Sequence, residues 1–253
     1  GIGMCIGLCI YLYALPMLPA DQIHTSASAR AEPKRALTPA ERRAVIALLV
    51  LFVPNTLFWG AYEQISNTIV LWADANTDRS IHLFGLTGQI PTTSFLAFNP
   101  FMIFAFTPFV VALWGWQAGR GQEPWTISKM AMGCLGLTLA YLLMAFAAFY
   151  TGGVNASWLW LFWFFVVITL GELYLSPVGL SFVTKVAPAR LLSMLMGVWL
   201  ASSFTGGFLA GWLGSFWSRM EKPEFFLMIA GIGALAGAMI FLCRWPLRGI
   251  LSE

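Results

Sequence analysis

Two carboxylic acids, Glu63 and Glu172, stand inside runs of otherwise apolar residues. The other nine acids fall in polar connections or near the ends of the chain. A carboxylate is costly in hydrocarbon, so an acid at that depth usually faces a cavity or a partner and marks a pathway. The plainer alternative is a protonated Glu bonded to a neighbouring helix. In Phe58-Trp59-Gly60-Ala61-Tyr62-Glu63-Gln64, helical spacing predicts Trp59, Glu63 and Asn67 on one face. In Gly171-Glu172-Leu173-Tyr174-Leu175-Ser176-Pro177, Glu172 and Ser176 are one turn apart, and Pro177 frees a backbone carbonyl nearby. Those groups would form a polar cluster at mid-depth. No basic residue lies deep in any of the runs, so the chain offers the two acids no internal counter-charge. A carboxyl group that alternates between apolar surroundings and a cation takes up and releases a proton. That is the chemistry of proton coupling.

The elements that must carry these acids follow from composition. Of 253 residues, 59% are hydrophobic and 10% are charged, and the net charge is +3. Mean hydropathy is +0.77. Soluble chains carry roughly 25% charge, so this one cannot cover a globule in water. A soluble enzyme, a disordered protein and a nucleic-acid binder are excluded. A membrane-spanning helix needs about 20 apolar residues. Runs at 1–18, 44–72, 95–116, 127–150, 157–183, 191–217 and 224–243 meet or approach that length. Continuous runs of this kind do not alternate as barrel strands do, so an all-α transmembrane fold is predicted. The first run is short and lacks a basic leader and a cleavage site, which predicts the end of a truncated helix rather than a signal peptide.

Loop charge predicts orientation. Arg30, Lys34, Arg35, Arg42, Arg43, Arg120, Lys129, Lys185, Arg190, Arg244 and Arg248 fall on one side, against Arg79, Arg219 and Lys222 on the other. The richer side is expected in the cytoplasm, with the C-terminus and the polar 19–43 linker.

Other candidate features are weaker. Asn99-Pro100 opens a span with an amide, and Trp199 sits beside Ser202 and Ser203. Pro54, Pro100, Pro108 and Pro177 lie within runs and predict broken or kinked helices, while Gly206, Gly207, Gly211 and Gly214 predict a close-packing stripe. Cys5, Cys9, Cys134 and Cys243 are in apolar runs and read as small packing residues, with no metal site expected. Both histidines, His24 and His82, lie in polar connections. An intramembrane enzyme, which needs a nucleophile–base pair or metal ligands at depth, is therefore not expected.

On these residues the chain resembles the proton-coupled oligopeptide transporters, a branch of the major facilitator superfamily. The resemblance lies in Gly-Glu-Leu-Tyr-Leu-Ser-Pro-Val-Gly-Leu-Ser at 171–181 with Thr-Lys-Val-Ala-Pro at 184–188. It lies also in Phe58-Trp59, Glu63-Gln64 and the stretch Ala73-Asp74-Ala75-Asn76-Thr77-Asp78-Arg79. Asn99-Pro100 and Met196-Gly197-Val198-Trp199-Leu200 are similar to shorter family motifs.

The resemblance implies a C-terminal six-helix bundle at 44–243, preceded by the end of the N-terminal bundle's last helix at 1–18 and a linker at 19–43, and followed by a tail at 244–253. It implies that an N-terminal bundle completes the transporter, with the substrate cavity between the two bundles. The implied function is symport of protons with di- and tripeptides across the cell (inner) membrane, with no cofactor beyond the coupling proton. By the same resemblance Glu172 would bind the peptide ammonium, Ser176 would line that pocket, and Asn99 would bond the peptide backbone. Trp59 and Trp199 would form aromatic walls, and Glu63 would couple protons. Leu200-Ala201-Ser202-Ser203 departs from the aromatic-rich family form, which leaves side-chain preference open. The alternatives are transport of nitrate or another small solute, and a membrane receptor that keeps the fold without transport.

Overall fold

The structure, a computed structural model, describes residues 2–17, 36–83, 86–152 and 155–251. It divides into two units, residues 1–38 and 39–253. In the first, helix α1 (Ile2–Ala14) runs into a short 3-10 turn at Leu15–Met17. Its side chains from Met4 to Tyr13 are exposed, Cys5 and Cys9 among them. Residues 19–35 of the expected linker lie outside the described residues, and with them His24, Arg30, Lys34 and Arg35.

The second unit holds the spans. Among the described residues, six segments are long and apolar enough to cross a membrane: Pro39–Ala75, Thr92–Gly119, Thr126–Tyr150, Trp158–Val186, Ala189–Gly214 and Lys222–Cys243. They match the runs predicted from 44 to 243. Their helices are α2 (Pro39–Tyr62), α3 (Thr68–Ala75), α4 (Phe98–Gly119), α5 (Thr126–Tyr150), α6 (Trp158–Val186), α7 (Leu192–Gly214) and α8 (Lys222–Leu251). Neighbours pack in a ring: α4 on α6, α6 on α5, α5 on α8, α8 on α2, α2 on α7, and α7 back on α6. The outward faces are apolar and exposed, with Phe101, Phe104, Phe204, Phe208 and Trp212 among them. Lipid tails, not water, suit such a surface.

Several boundaries differ from the sequence reading, each for a local reason. Helix α2 starts at Pro39, five residues before the predicted span. Proline suits the first helical position, where its missing N–H is an orphan anyway, and Glu41 in the first turn suits the positive helix end. Pro100 likewise stands in the first turn of α4 and breaks nothing, whereas Pro54, Pro108 and Pro177 are inside their helices. Helix α8 continues to Leu251, through most of the expected tail, although the side chains of 244–253 are outside the described residues. Lys129, read as a loop charge, is buried in the first turn of α5, bonded to Glu123 at 2.5 Å and lying over the Trp114 ring.

Short strands also form, which the sequence reading did not foresee. β1 (Thr77–Asp78) pairs in parallel with β4 (Ala156–Ser157), and β2 (Ser80–Leu83) pairs antiparallel with β3 (Leu86–Gln89). These strands occupy connections, where backbone groups left by the helices need partners. Arg79 closes the same region by pairing with Asp74 at 3.2 Å and donating to Thr92 at 2.9 Å. At the other end of the bundle Arg190 pairs with Glu41 at 2.7 Å.

Helix contacts depend on small residues, as expected where lipid removes the hydrophobic drive between helices. A Cβ on Gly171 of α6 would stand 2.7 Å from the Gly133 carbonyl oxygen of α5, and one on Gly136 would stand 2.8 Å from the Gly171 Cα. On α7 the packing stripe is Gly206, Ala210 and Gly214, not the four predicted glycines. A Cβ on Gly206 would meet Trp59 at 2.4 Å, and one on Gly214 would meet Asn67 at 2.2 Å. Gly207 and Gly211 have nothing within 4 Å. The four-residue spacing selects one helix face, and Gly207 and Gly211 fall off it. We expect Gly171→Ala to lower stability by about 1–3 kcal/mol through overpacking, while Gly207→Ala leaves it unchanged. Thermal unfolding of both variants in detergent checks this; equal midpoints would refute the close-contact assignment.

Candidate functional site

The span Pro39–Ala75 is not one continuous α-helix. α2 ends at Tyr62, a 3-10 segment covers Glu63–Ser66, and α3 starts at Thr68. Neighbouring side chains tie the break down. Tyr141 of α5 donates to the Ala61 carbonyl at 2.9 Å. Gln64 is fully buried, donates to the Ala210 carbonyl of α7 at 2.8 Å, and accepts from Thr68 at 3.0 Å. In a membrane interior, backbone groups freed by a break need such partners.

The break begins just after Tyr62, which keeps α-helical backbone angles, and it takes in Glu63. Tyr62 closes α2 and points its hydroxyl at α6, donating to Glu172 Oε2 at 2.5 Å. Asn99, at the start of α4, donates from Nδ2 to the same oxygen at 2.9 Å and to Thr169 Oγ1 at 3.1 Å. One carboxylate oxygen thus joins three helices. The second, Oε1, makes no hydrogen bond among the described residues and remains available. Hydrogen bonds to an ionised group are the stronger kind, near 1.5–3 kcal/mol net.

A pocket adjoins this cluster. It has a volume of about 40 Å³ and lies between α2, α6 and α7, lined by Asn55, Trp59, Leu175, Ser176, Leu180, Trp199, Leu200 and Ser203. Trp199 lies against Gly179, where a Cβ would stand 2.6 Å from the indole, so the glycine makes room for the ring. Tyr62 meets Trp59 edge to face at 5.3 Å, which links pocket and cluster.

The predicted residues divide accordingly. Glu172 and Asn99 meet directly. Trp59, Ser176 and Trp199 share the pocket. Glu63 joins neither group and has no hydrogen bond or ion pair among the described residues. The single face predicted for Trp59, Glu63 and Asn67 is interrupted, because the winding changes at Glu63. Trp59 and Asn67 instead both rest on glycines of α7. Three participants escaped the sequence reading: Tyr62, Thr169 and Asn55. Two carried a signal, since Thr169 is three residues before Glu172 and Asn55 four before Trp59, on the same helical faces.

Known proteins share this arrangement of helices. The model of the POT family matches residues 12–228. The chain belongs to the POT family. It is 30% identical over 214 residues to a di-/tripeptide transporter of Lactococcus lactis subsp. lactis (strain IL1403), covering 84% of this chain and 43% of that protein. It is also 30% identical over 221 residues to the peptide transporter YePEPT of Yersinia enterocolitica subsp. palearctica, covering 84% and 42%. A crystal structure of a peptide transporter POT in complex with sulfate superposes with a TM-score of 0.77 at 25% identity, over 98% of this chain and 52% of that one. A POT family transporter in complex with a thioalcohol-conjugated peptide gives 0.76 at 24% identity and supports the fold. The chain spans about half the length of the relatives it matches.

Membership makes this a transporter-family chain with a six-helix half of the major facilitator fold. Within that fold the contact of Tyr62 and Glu172 should show energetic coupling. In a double-mutant cycle, Tyr62→Phe and Glu172→Gln should be non-additive by about 0.5–3 kcal/mol. Thermal unfolding in detergent supplies the four stabilities, and strict additivity would mean the contact contributes nothing.

Proposed function

We propose that this chain is the C-terminal half of a symporter that uses inward proton movement to take up di- and tripeptides by alternating access. Its companion is an N-terminal bundle that faces the site. On this reading 1–18 ends that bundle, 19–43 links the halves, 44–243 forms the C-terminal bundle and 244–253 is the tail. The excess of loop arginine and lysine on one side supports a cytoplasmic tail.

One observation carries the proposal: Glu172 is anchored through Oε2 alone, leaving Oε1 to accept from a ligand. A carboxylate held firmly by two donors and open at its other oxygen suits an ammonium group. The names of the Lactococcus and Yersinia relatives supply the substrate class. Ser176, Trp59 and Trp199 line the adjoining pocket, where polar and aromatic walls accept different side chains. Asn99 serves twice in this scheme, orienting Glu172 and standing where a peptide backbone would pass.

Two outcomes follow for the complete transporter carrying this chain. Glu172→Gln should weaken dipeptide binding about tenfold or more, since a factor of ten corresponds to about 1.4 kcal/mol. The native protein should discriminate against N-acetylated dialanine, and the variant should do so much less. Binding of free and acetylated dialanine to monodisperse protein measures both, and a folded variant with native affinity and native preference would exclude Glu172 as the ammonium site.

Glu63 is assigned proton coupling, because it stands at the helix break without a partner among the described residues. Glu63→Gln should largely abolish accumulation driven by a proton gradient in liposomes. Peptide exchange, which needs no net proton movement, should persist. Undiminished gradient-driven uptake would remove Glu63 from this role.

A further inference from the structure

Helices α5 and α8 approach closely at two glycines. A Cβ on Gly233 would run into the Leu137 side chain, and one on Gly237 would stand 3.1 Å from Cys134. Beside that crossing the small side chains of Ala131, Ala234 and Ala238 leave a groove of about 520 Å³. Its rim is apolar and exposed, formed by Met132, Leu135 and Phe241. At one end the Thr138 hydroxyl is already spent on the Cys134 carbonyl, at 2.8 Å. The lining runs along α5 from Ser128 to Thr138, which at the rise of an α-helix is about 15 Å. That is half the roughly 30 Å thickness of a bilayer's hydrocarbon core. Ser128 is in the first turn of α5, beside the exposed Trp125. The groove therefore opens at one membrane surface and ends near mid-bilayer. Its surface end is also basic. The backbone of α8 stays helical to Leu251, and Arg244 and Arg248 follow Phe241 after three and seven residues, the spacing of one helix face. No acid lines the groove among the described residues, and Glu123 at the same end is paired with Lys129.

We propose that the groove between α5 and α8 holds one acyl chain of an anionic phospholipid, whose headgroup is recognised by the turn of α8 that carries Arg244 and Arg248. The site goes beyond the transport reading and does not depend on it. On the orientation proposed above, the lipid belongs to the cytoplasmic leaflet. Length and charge select this occupant. A lipid tail reaches from one surface to mid-bilayer, as the groove does, whereas a helix of a second copy spans the whole thickness and would find the groove along only half of its length. Small residues let the tail lie close to both helix backbones, where van der Waals contact is the main attraction in lipid. Basic residues at the membrane surface favour lipids of net negative charge over zwitterionic ones.

The test is native mass spectrometry of the complete transporter carrying this chain, purified in detergent and titrated with dioleoyl phosphatidylglycerol or dioleoyl phosphatidylcholine. The native protein should retain one phosphatidylglycerol about tenfold more tightly than phosphatidylcholine. Ala234→Phe combined with Ala238→Leu fills the groove from two exposed positions and should remove that one tightly held lipid. Arg244→Gln combined with Arg248→Gln should level the headgroup preference while one lipid still binds. Equal native affinity for the two lipids would overturn the site, as would a tight phosphatidylglycerol that survives in the folded, groove-filled variant. If the native protein is a dimer that groove filling converts to a monomer, the occupant is a second copy and the lipid site falls. The native comparison and the arginine variant leave the helix contacts untouched, so they decide the matter even where the groove-filled variant does not fold. None of these measurements reads peptide binding, so failure of the lipid site leaves the transport reading standing.

Discussion

An ionisable carboxyl group in the middle of an apolar bundle must be held by its surroundings, and here the holding atom is a single oxygen of Glu172. Tyr62 from α2 and Asn99 from α4 both converge on it from outside α6. Charge at that depth is expensive unless bonded, so the positions of three helices are tied to the satisfaction of one oxygen. Much of the local sequence serves this end. Tyr62 ends the regular winding of α2 with its hydroxyl on α6, and Asn99 reaches the same oxygen from the first turn of α4.

Behind that polar front the bundle is fastened by close backbone approach. α5 meets α6 at Gly133, Gly136 and Gly171, and meets α8 at Gly233 and Gly237. α2 and its broken continuation lie along α7 through Thr56–Thr205, Gly60–Gly206, Gln64–Ala210 and Asn67–Gly214. The seam is polar as well as small. Its hydrogen bonds compensate for the missing hydrophobic drive between helices in lipid. The same seam holds Asn55 and Ser202, so packing and pocket chemistry share residues.

Spans were legible because an apolar run of sufficient length has one outcome in a membrane. Glu172 and Ser176 stood out by residue type and one-turn spacing, whereas the pocket's tryptophans were read as pocket residues only through the family resemblance. Other parts were not. The break at Glu63–Ser66 is fixed by Tyr141 and Gln64 bonding across 80 and 146 residues of sequence, and no local pattern announces such contacts. Tyr62 reads as one more apolar residue beside Glu63, and only its contact with Glu172, 110 residues away, shows its part. The glycine stripe was misjudged in detail because four glycines invite a single reading, while the four-residue period admits two of them together with Ala210. Lys129 reads as a surface charge, and only the neighbouring Glu123 and Trp114 account for its burial.

The division of labour among helices bears on how such a half could move. Every residue of the candidate site comes from α2 with its 3-10 extension, α4, α6 or α7, and none comes from α5 or α8. α5 and α8 pack closely behind it, and the pocket is lined by α2, α6 and α7. Shifting α2 or α4 separately from α6 would break the bonds to Glu172 Oε2 and leave a polar group without donors, which is costly in hydrocarbon. Sliding α2 along α7 would drive Trp59 and Asn67 off the glycines that accommodate them. Both constraints favour displacement of the bundle as one body. Rocking of two such bodies about a shared midplane site needs no internal rearrangement of either. In that scheme the Glu172 cluster would stay intact through the cycle, and only what faces Oε1 and Glu63 would change.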